Sequence, residues 1–500
     1  MVIPFDPVIL WTDAFIYLLI GIVIAISCYV RRHPHLVAPW RRVTHSASGM
    51  SAFTILLFFV SIGILDTIHF RPTIESSSHE TNTQTFSVEV LSLLDVIATP
   101  LRTNVEKTYS APLSAYLYAK ETIELPDGGQ VREFARLTFG GAHLVNPETD
   151  HRQDITIRSI KGAGWGLFAW SIIIFSITIW LAYQNKTRYW QTQQALWRGQ
   201  TETPWWAIFI TLNVIIVLSG AVIALATHYH VLGTDKVGQD VLYLSLKSIR
   251  TGLVIGTLTT LIMLPFALFL GIAAGYFRGW VDDVIQYTYT TLSSIPSVLL
   301  IAAAVLMMQV YIETHPDLFE TILSRADLRL LFLCIILGIT SWTSLCRLLR
   351  GETLKLREME YIQAAHAFAV SHWRIISRHI LPNVFHILLI AIVMDFSGLV
   401  LAEAVLSYVG VGVDPSMISF GTMINAARLE MAREPMVWWT LLAAFGFMFT
   451  LVLSANLFAD AVQNAFNPRI RTLPLKTIQP AKLTATQNTI SVKQKNIPSI

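Results

Sequence analysis

Two carboxylates stand inside a long apolar stretch, where an ionisable side chain has the strongest chemical consequence. Asp395 lies near the middle of the run from Val384 to Tyr408, and Glu403 follows eight positions later, about two helical turns. A carboxylate at the centre of a membrane costs on the order of 2.5 to 3.5 kcal/mol on insertion scales. The sequence is therefore compatible with two interpretations, which both stay open: acids that face a pathway through the membrane, or hydrogen-bonded acids packed against a neighbouring helix.

The remaining reactive residue types form no pattern typical of catalysis. The histidines are scattered, without a His-Glu-x-x-His motif or a Cys/His cluster, so we expect no metal site. The three cysteines, Cys28, Cys334 and Cys346, lie in or beside apolar runs and indicate no disulfide framework. No Gly-Lys dipeptide occurs, which excludes the usual phosphate-binding loop of an ATPase. We expect no enzymatic activity and no cofactor in this chain.

Composition places these residues in a membrane. The chain has 500 residues, is 53% hydrophobic and 14% charged, and has a mean hydropathy of +0.54. It is too apolar for a soluble domain of this size. Apolar runs of roughly 20 residues, the length that crosses a ~30 Å hydrocarbon layer as a helix, recur along it. We therefore expect an all-α polytopic membrane protein with about nine transmembrane helices. The expected spans are 8–30, 50–65, 165–183, 205–226, 253–274, 284–312, 330–349, 384–408 and 437–457.

The placement of Lys and Arg predicts the orientation. Basic residues follow the first, third, seventh and last expected spans, and cytoplasmic loops are enriched in such residues. The N-terminus is therefore expected outside and the C-terminus in the cytoplasm. The start of the chain lacks the pattern of a cleaved secretory signal, so the first span is expected to remain as an anchor. The basic loops lack interleaved aromatic residues, which gives no support to nucleic-acid binding.

Changes in composition divide the chain into five parts. The part from 66 to 164 is a polar insert, which the charge pattern places outside the cytoplasm. A small α+β domain is expected there, with a short helix over Phe86–Ala98 and a β-hairpin whose turn is Pro126–Gly129. The expected parts are a two-span N-terminal extension 1–65, the insert 66–164, two further spans 165–231, a core 232–469 and a disordered cytoplasmic tail 470–500.

A polar loop from Arg347 to Asn383 separates two of the expected spans. It predicts one helix over Glu358–Val370 and a second that begins at His372, with Ser371 as its N-cap. Two short amphipathic helices at the membrane surface can present a compact face to the groove of a partner protein. An ordinary basic loop beside anionic lipid is the alternative. The residues of the expected face are Tyr361, Ala365 and Phe368.

This loop resembles the EAA loop of bacterial ABC-importer permeases, through which the membrane subunit contacts its ATPase. The family pattern is Glu-Ala-Ala, three residues, Gly, nine residues, and a segment ending in Leu-Pro. Gln363 stands here in place of the Glu, and Ala369 in place of the Gly. An alanine costs about 1 kcal/mol where the chain turns with positive φ. The residues that match the pattern are Ala364, Ala365, Leu381 and Pro382.

A second segment resembles the signature of the C-type permeases of oligopeptide and dipeptide importers. An interfacial helix is expected directly after it, over Val241–Ser248, held at the membrane surface by Lys247 and Arg250. The residues that carry this resemblance are Gly233, Asp235, Gly238 and Asp240.

Glycines and a proline predict the packing and shape of the following spans. Gly271 and Gly275 are four residues apart, so they share a helix face and permit close helix packing. Pro296, inside an expected span, frees a backbone carbonyl and bends the helix, which serves either a gate or only the shape of the helix.

The resemblance covers about half of the chain, from 232 to 469, and implies a type I ABC-importer permease core. It implies a permease subunit of an ATP-driven importer for peptides or similar small solutes, in the bacterial inner membrane and coupled through the loop 351–382. The implied partners are a second permease in a heterodimer, two ATPase subunits, an extracytoplasmic solute-binding protein and membrane lipid. The residues do not identify the solute. We expect the insert to contact the binding protein or to guard the pathway.

Two other functions remain as alternatives. An ion-coupled secondary transporter would use a buried acid such as Asp395. A membrane sensor would use the insert as its receptor domain, although the chain shows no cytoplasmic output domain.

Overall fold

The computed structural model describes residues 5–74, 85–87, 89–124, 130–315 and 321–466. The expected tail 470–500 and the expected hairpin turn 126–129 lie outside these ranges. Within them the chain is mainly helical, which confirms the predicted fold class. The helices are α1 Trp11–Arg32, α2 Pro34–His45, α3 Ala47–Thr67, α4 Leu93–Ile97, α5 Thr99–Thr103, α6 Pro147–Gln184, α7 Tyr189–Trp197, α8 Trp205–Ala226, α9 Val241–Phe277, α10 Trp280–Ser294, α11 Ser297–Thr314, α12 Ile322–Arg357, α13 Glu360–Ala367, α14 His372–Ile375, α15 Leu381–Val409, α16 Phe420–Glu430 and α17 Trp439–Phe466. The strands are β1 Phe5–Val8, β2 His69–Ile74, β3 Thr85–Phe86, β4 Leu91–Ser92, β5 Tyr116–Glu124 and β6 Gln130–Arg136.

Eight helices of the described ranges are long and apolar enough to cross a membrane: α1, α3, α6, α8, α9, α11, α15 and α17. The expected span 330–349 is the middle of α12, a helix of 36 residues that is not among the eight. Leu330, Leu333 and Leu337 of α12 are almost completely buried between neighbouring helices. Helical structure therefore occurs at each of the nine expected positions.

The predicted interfacial helix Val241–Ser248 is wrong as a separate element. It is the first part of α9, which continues without a break for 37 residues to Phe277. Arg250 is buried and Lys247 is half-buried, and acids from other parts of the chain pair with both cations. Because their charges are paired with acids, these two cations do not hold this part of α9 at the membrane surface.

Pro296 divides the expected span 284–312 into two helices. α10 ends at Ser294 and α11 begins at Ser297. Proline lacks a backbone N–H and its ring clashes with the preceding turn, so a helix does not pass through it undisturbed. The predicted bend at this residue is confirmed as a complete interruption.

The insert contains the predicted hairpin and one element that the prediction placed wrongly. Strands β5 and β6 pair antiparallel, as expected. The helix predicted over Phe86–Ala98 is only α4, because Ser92 starts it: the backbone N–H of Asp95 donates to the Ser92 hydroxyl over 3.2 Å. The preceding residues form strand β4, which pairs with β2. Helix α6 begins at Pro147, so the last part of the expected insert is helical.

The N-terminal extension and the insert share one small sheet. Strand β1 pairs antiparallel with β2, and β2 also pairs with β3 and β4. The segment before α1 is therefore joined by backbone hydrogen bonds to the segment after α3.

Two glycines bring α9 against α12. A Cβ atom on Gly271 would lie 2.8 Å from Leu349 Cβ, and one on Gly275 would lie 2.6 Å from Thr353 Cβ. Larger side chains would force the two helices apart. This confirms the close packing predicted from the spacing of the glycines.

Candidate functional site

The polar loop between α12 and α15 is a compact helical unit. α12 ends at Arg357, α13 and α14 follow, and a π-helical turn over Ile376–Ile380 leads directly into α15. Helix α13 is shorter than the predicted 358–370. Ser371 occupies the predicted N-cap position of α14, but within the described structure its side chain makes no cap hydrogen bond. The predicted two-helix organisation is confirmed.

Three isoleucines anchor this unit to the helix bundle. Ile362, Ile375 and Ile380 are completely buried in a cluster that includes residues of α9, α12 and α15. Burying one such side chain stabilises the packing by about 1.5 to 3 kcal/mol. The loop is therefore fixed to the ends of the helices that it connects.

The outer surface of the loop carries most of the residues predicted to contact a partner. Phe368 is 83% exposed and Tyr361 is 42% exposed, and both are large apolar groups. Gln363 and Ala364 are also exposed. Ala365 is half-buried against the isoleucine cluster, so it contributes less to the outer face than the prediction assigned to it. Leu381 also packs on that cluster, while Pro382 is exposed at the start of α15.

Ala369 has a left-handed backbone conformation, with φ of 56°. The turn between α13 and α14 requires this conformation, which glycine adopts without steric cost and alanine does not. The structure thus places this alanine at a position of positive φ, as its alignment with the family's glycine suggested.

The end of α9 contacts the loop through a polar aromatic cluster that the sequence reasoning missed. Tyr276 Oη lies 2.8 Å from His372 Nδ1 and 3.3 Å from His366 Nε2. Arg357 also donates a hydrogen bond of 2.8 Å to the carbonyl oxygen of Tyr276. The available signal was a tyrosine directly after the Gly271–Gly275 pair, at the end of an apolar run.

A second contact joins α12 to the start of α10. Arg350 donates two hydrogen bonds to the Asp282 carboxylate, from Nε over 2.5 Å and from Nη2 over 2.7 Å. Paired hydrogen bonds between guanidinium and carboxylate fix orientation as well as distance. The helices around the loop are therefore held in a defined geometry.

The two carboxylates of α15 have different environments. Glu403 is 1% exposed, and its Oε1 accepts hydrogen bonds from Ser407 over 2.7 Å and from Ser419 over 2.8 Å. Asp395 is half-buried, and within the described residues no hydrogen bond or ion pair reaches its carboxylate. Glu403 thus fits the packed, hydrogen-bonded interpretation, whereas Asp395 has no partner in the part of the chain that the structure describes.

The four signature residues form one turn before α9. Gly233 and Gly238 have φ of 75° and 78°. Asp235 Oδ1 accepts hydrogen bonds from the N–H groups of residues 237 and 239, both over 2.9 Å. Asp240 caps α9 by accepting from the N–H groups of Leu242, over 2.8 Å, and of residue 243, over 3.3 Å. The signature therefore sets the starting point of the long helix.

Among the described residues there is no group of three or more His, Cys, Asp or Glu side chains arranged to hold a metal ion. The geometry consists of helices that can cross a membrane, an anchored polar loop at the end of α9 and a capped turn at its start. These features are those of a polytopic helical membrane protein with an exposed docking loop.

Comparison with known proteins identifies the family. Residues 267–472 match the model of the binding-protein-dependent transport system inner membrane component. The chain is 32% identical over 244 residues to the oligopeptide transport system permease protein OppC of Mycobacterium tuberculosis, an alignment that covers 49% of this chain and 77% of the relative. The chain belongs to this family, in its oligopeptide and dipeptide permease branch, and is a permease subunit of an ABC importer in the inner membrane.

Other relatives agree with this assignment. The chain is 30% identical to the glutathione transport system permease protein GsiD of Pectobacterium atrosepticum, over 48% of this chain and 73% of the relative. It is 28% identical to the dipeptide transport system permease protein DppC of Lactococcus lactis, over 48% of this chain and 64% of the relative. The resemblance inferred from the two motifs is thus confirmed.

Proposed function

We propose that this chain moves peptides or similar small solutes across the inner membrane, driven by ATP hydrolysis in separate ATPase subunits. The observation that carries the proposal is the loop 351–382, whose outer surface is exposed and whose inner surface is anchored in the bundle. Phe368 and Tyr361 offer apolar contact area to a partner. Ile362 and Ile375 transmit a displacement of that surface to the helices.

Coupling requires that the nucleotide states of the ATPase bind this loop differently, because a partner that binds both conformations equally shifts neither. A displaced loop would pull on α9 through Tyr276 and His372, and on α15 through the continuous turn at Ile376–Ile380. Movement of whole helices in response to such a pull is typical of hinge and shear transitions.

The proposed assembly is a heterodimer of this chain with a second permease, two ATPase subunits and an extracytoplasmic solute-binding protein, with lipid around it. The proposed N-terminus is outside and the proposed C-terminus is cytoplasmic. The path of α9 supports the proposal that the insert and the loop lie on opposite sides. Its 37 residues span about 55 Å, with the turn bound by the insert at one end and the loop at the other.

We propose that Asp395 faces the solute pathway. An unpartnered carboxylate facing lipid would be costly, whereas one facing water or a polar solute keeps its solvation. α10 contributes to the same buried apolar cluster as the first part of α15, and its exposed surface carries hydroxyl and amide groups. Glu403 would act next to the pathway by holding α15 to the start of α16 through Ser419.

We propose that the chain has the five parts 1–65, 66–164, 165–231, 232–469 and 470–500. We also propose that the insert contacts the solute-binding protein. The β5–β6 hairpin supports this: most of β6 is exposed, and Phe134 presents an apolar side chain that is 49% exposed. A hairpin with an exposed face is marginally stable alone, so a partner surface would stabilise it.

Site-specific photocrosslinking tests the arrangement. A photoreactive residue at Phe368 is expected to capture a protein with an ATP-binding loop, and one at Phe134 is expected to capture a solute-binding protein. Each position is the control for the other. Capture of the same protein at both positions would contradict the proposed sides of the loop and insert. Solute uptake that survives inactivation of the captured ATPase but stops with an uncoupler would favour the ion-coupled alternative.

A further inference from the structure

Three buried side chains in a row, an acid, an imidazole and a second acid, join the insert to the signature turn. His230 Nδ1 lies 2.8 Å from Asp240 Oδ2, and its Nε2 lies 3.6 Å from Glu106 Oε1. The three residues are at most 5% exposed. Glu106 belongs to the insert, whereas Asp240 caps α9, so His230 bridges two separate parts of the molecule.

The acid at each end of this row is fixed by hydrogen bonds from backbone N–H groups. The Glu106 carboxylate accepts from three successive N–H groups: Thr138 over 2.9 Å, Phe139 over 2.8 Å and Gly140 over 3.1 Å. The other oxygen of Asp240 accepts from the first turn of α9. Neither acid can turn away from His230 without losing several of these hydrogen bonds.

The backbone of the insert also interlocks with the signature turn. The N–H of Glu106 donates to the carbonyl oxygen of Gly238 over 3.0 Å. A Cβ atom on Gly238 would lie 1.8 Å from the Glu106 carbonyl oxygen, and one on Gly233 would lie 2.5 Å from that of Ser110. In this chain, both signature glycines therefore leave room for the insert, which precedes the matched range 267–472.

We call the contact of Glu106, His230 and Asp240 the junction. The charges of these three groups stabilise the junction at neutral pH. Burial opposes a charge on His230, but the hydrogen bond to Asp240 and the nearby Glu106 outweigh it and raise the pKa of His230 to about 9. Burial also opposes the charge on Glu106, but His230 and the three N–H donors lower its pKa to about 2. An imidazolium between two carboxylates results, and no other ionised group faces it in the described residues.

The pH window follows from the signs of these shifts. Because the pKa of His230 is raised, its stabilisation of the junction is complete below the ordinary pKa of 6.5 and disappears as the pH rises through about 9. A lowered pKa means that the contribution of Glu106 is complete above 4.5 and disappears as the pH falls towards about 2. The junction is therefore expected to weaken on the alkaline side of neutrality.

We propose that Glu106 and His230 are positioning residues of the transport cycle, through which the insert holds the signature turn and the start of α9. The far end of α9 contacts the loop through Tyr276, so a movement of either end is passed along one helix. The role in transport rests on the proposed function, whereas the junction itself does not.

Hydrogen exchange of the full-length protein in lipid nanodiscs tests the junction. Glu106→Gln and His230→Gln are each expected to speed exchange of the amides of residues 238–243 by about tenfold or more, as loss of a buried charge pair loosens the turn. Glu133→Gln, an exposed acid of the same insert, is the control and should change nothing there. Unchanged exchange in α12 shows that the variants fold. Faster exchange confined to residues 138–140 would overturn the proposal, because Glu106 would then act only on its own loop.

The pH dependence separates an ionic junction from simple packing. Protection of residues 238–243, corrected for the intrinsic pH dependence of exchange, should fall between about pH 7 and pH 10 in the natural protein. In Glu106→Gln the midpoint should move down by about one pH unit or more, because the imidazolium loses one of its two acids. In His230→Gln the profile should be flat. An unmoved midpoint in Glu106→Gln would overturn the ionic junction.

Uptake of a labelled tripeptide by the reconstituted importer tests the role in transport. The two variants are expected to lower the maximal rate at least about fivefold, more than the half-saturating concentration, because the start of α9 is misplaced. Normal uptake by both variants with accelerated exchange would overturn the role in transport. Failure of the natural protein to take up the tripeptide would count against the proposed solute class and leave the exchange result valid.

Discussion

Arg250 of α9 and Asp13 of α1 form a buried ion pair, in which Arg250 Nη2 donates to Asp13 Oδ1 over 2.7 Å. Asp13 is completely buried and also lies 2.8 Å from His69 Nδ1. Three residues before Arg250 on the same helix, Lys247 contacts two acids of the insert, Asp66 over 3.0 Å and Asp95 over 2.9 Å. The N-terminal extension and the insert thus supply counter-charges to cations of the permease core.

Asp13→Asn should strongly destabilise the protein. Removing one partner of a buried ion pair costs about 3 to 5 kcal/mol. Asp327, which lies 3.8 Å from Arg250, compensates the remaining charge only in part. We expect a lower thermal unfolding temperature in detergent, measured by the fluorescence of a thiol-reactive dye. The matched control is the exposed acid Asp283 changed to Asn, which should have little effect. The double variant Asp13→Asn with Arg250→Met should recover part of the loss, and no recovery would argue against the pair as the cause.

Ala369→Gly should stabilise the loop. Glycine adopts the observed positive φ without the steric cost of about 1 kcal/mol that alanine bears. Local hydrogen exchange of residues 364–370 should slow by up to about fivefold. Ala364→Gly, inside helix α13, provides a control of opposite sign, since glycine costs about 1 kcal/mol in a helix. Faster exchange in both variants would contradict a left-handed Ala369.

Phe368→Ala should weaken binding of the ATPase without weakening the fold. The side chain is 83% exposed, so its removal costs little packing in the isolated chain, but exposed aromatic groups often dominate an interface. We expect the affinity for the purified ATPase to fall about tenfold or more, as measured by surface plasmon resonance in nanodiscs. Trp190→Ala, also highly exposed but in α7, is the control. Equal losses in the two variants would indicate a non-specific apolar effect.

The two acids of α15 should respond differently to loss of charge. Asp395→Asn should leave thermal stability unchanged, because no ion pair in the described structure is lost, yet reduce uptake if the acid faces the pathway. Glu403→Leu should destabilise by about 1 to 3 kcal/mol, because the Ser407 and Ser419 hydroxyls lose their buried acceptor.

Glu403→Gln keeps an acceptor and is the matched control for this pair of variants. Thermal unfolding and solute uptake are measured on all three proteins. Normal uptake by Asp395→Asn would remove this residue from the pathway, and full stability of Glu403→Leu would contradict the hydrogen-bonded role of Glu403.

The amino-acid sequence alone determined the helical membrane fold, the hairpin of the insert, a bend at Pro296 and the two-helix loop. These features depend on apolar runs, turn residues and motif spacing over short stretches of chain, which are local properties. The substitution at position 369 also gave a correct indication of a strained turn.

Only the tertiary structure decided which charged groups meet. From the sequence, Lys247 and Arg250 were predicted to be surface cations. Their neighbours in the sequence do not reveal that Asp13, 237 residues from Arg250, pairs with Arg250 in the fold. The bridge of His230 from Asp240 to Glu106 was hidden for the same reason. Hydropathy is summed over neighbouring residues, whereas the solvation of a buried charge depends on whatever the fold brings within a few ångströms.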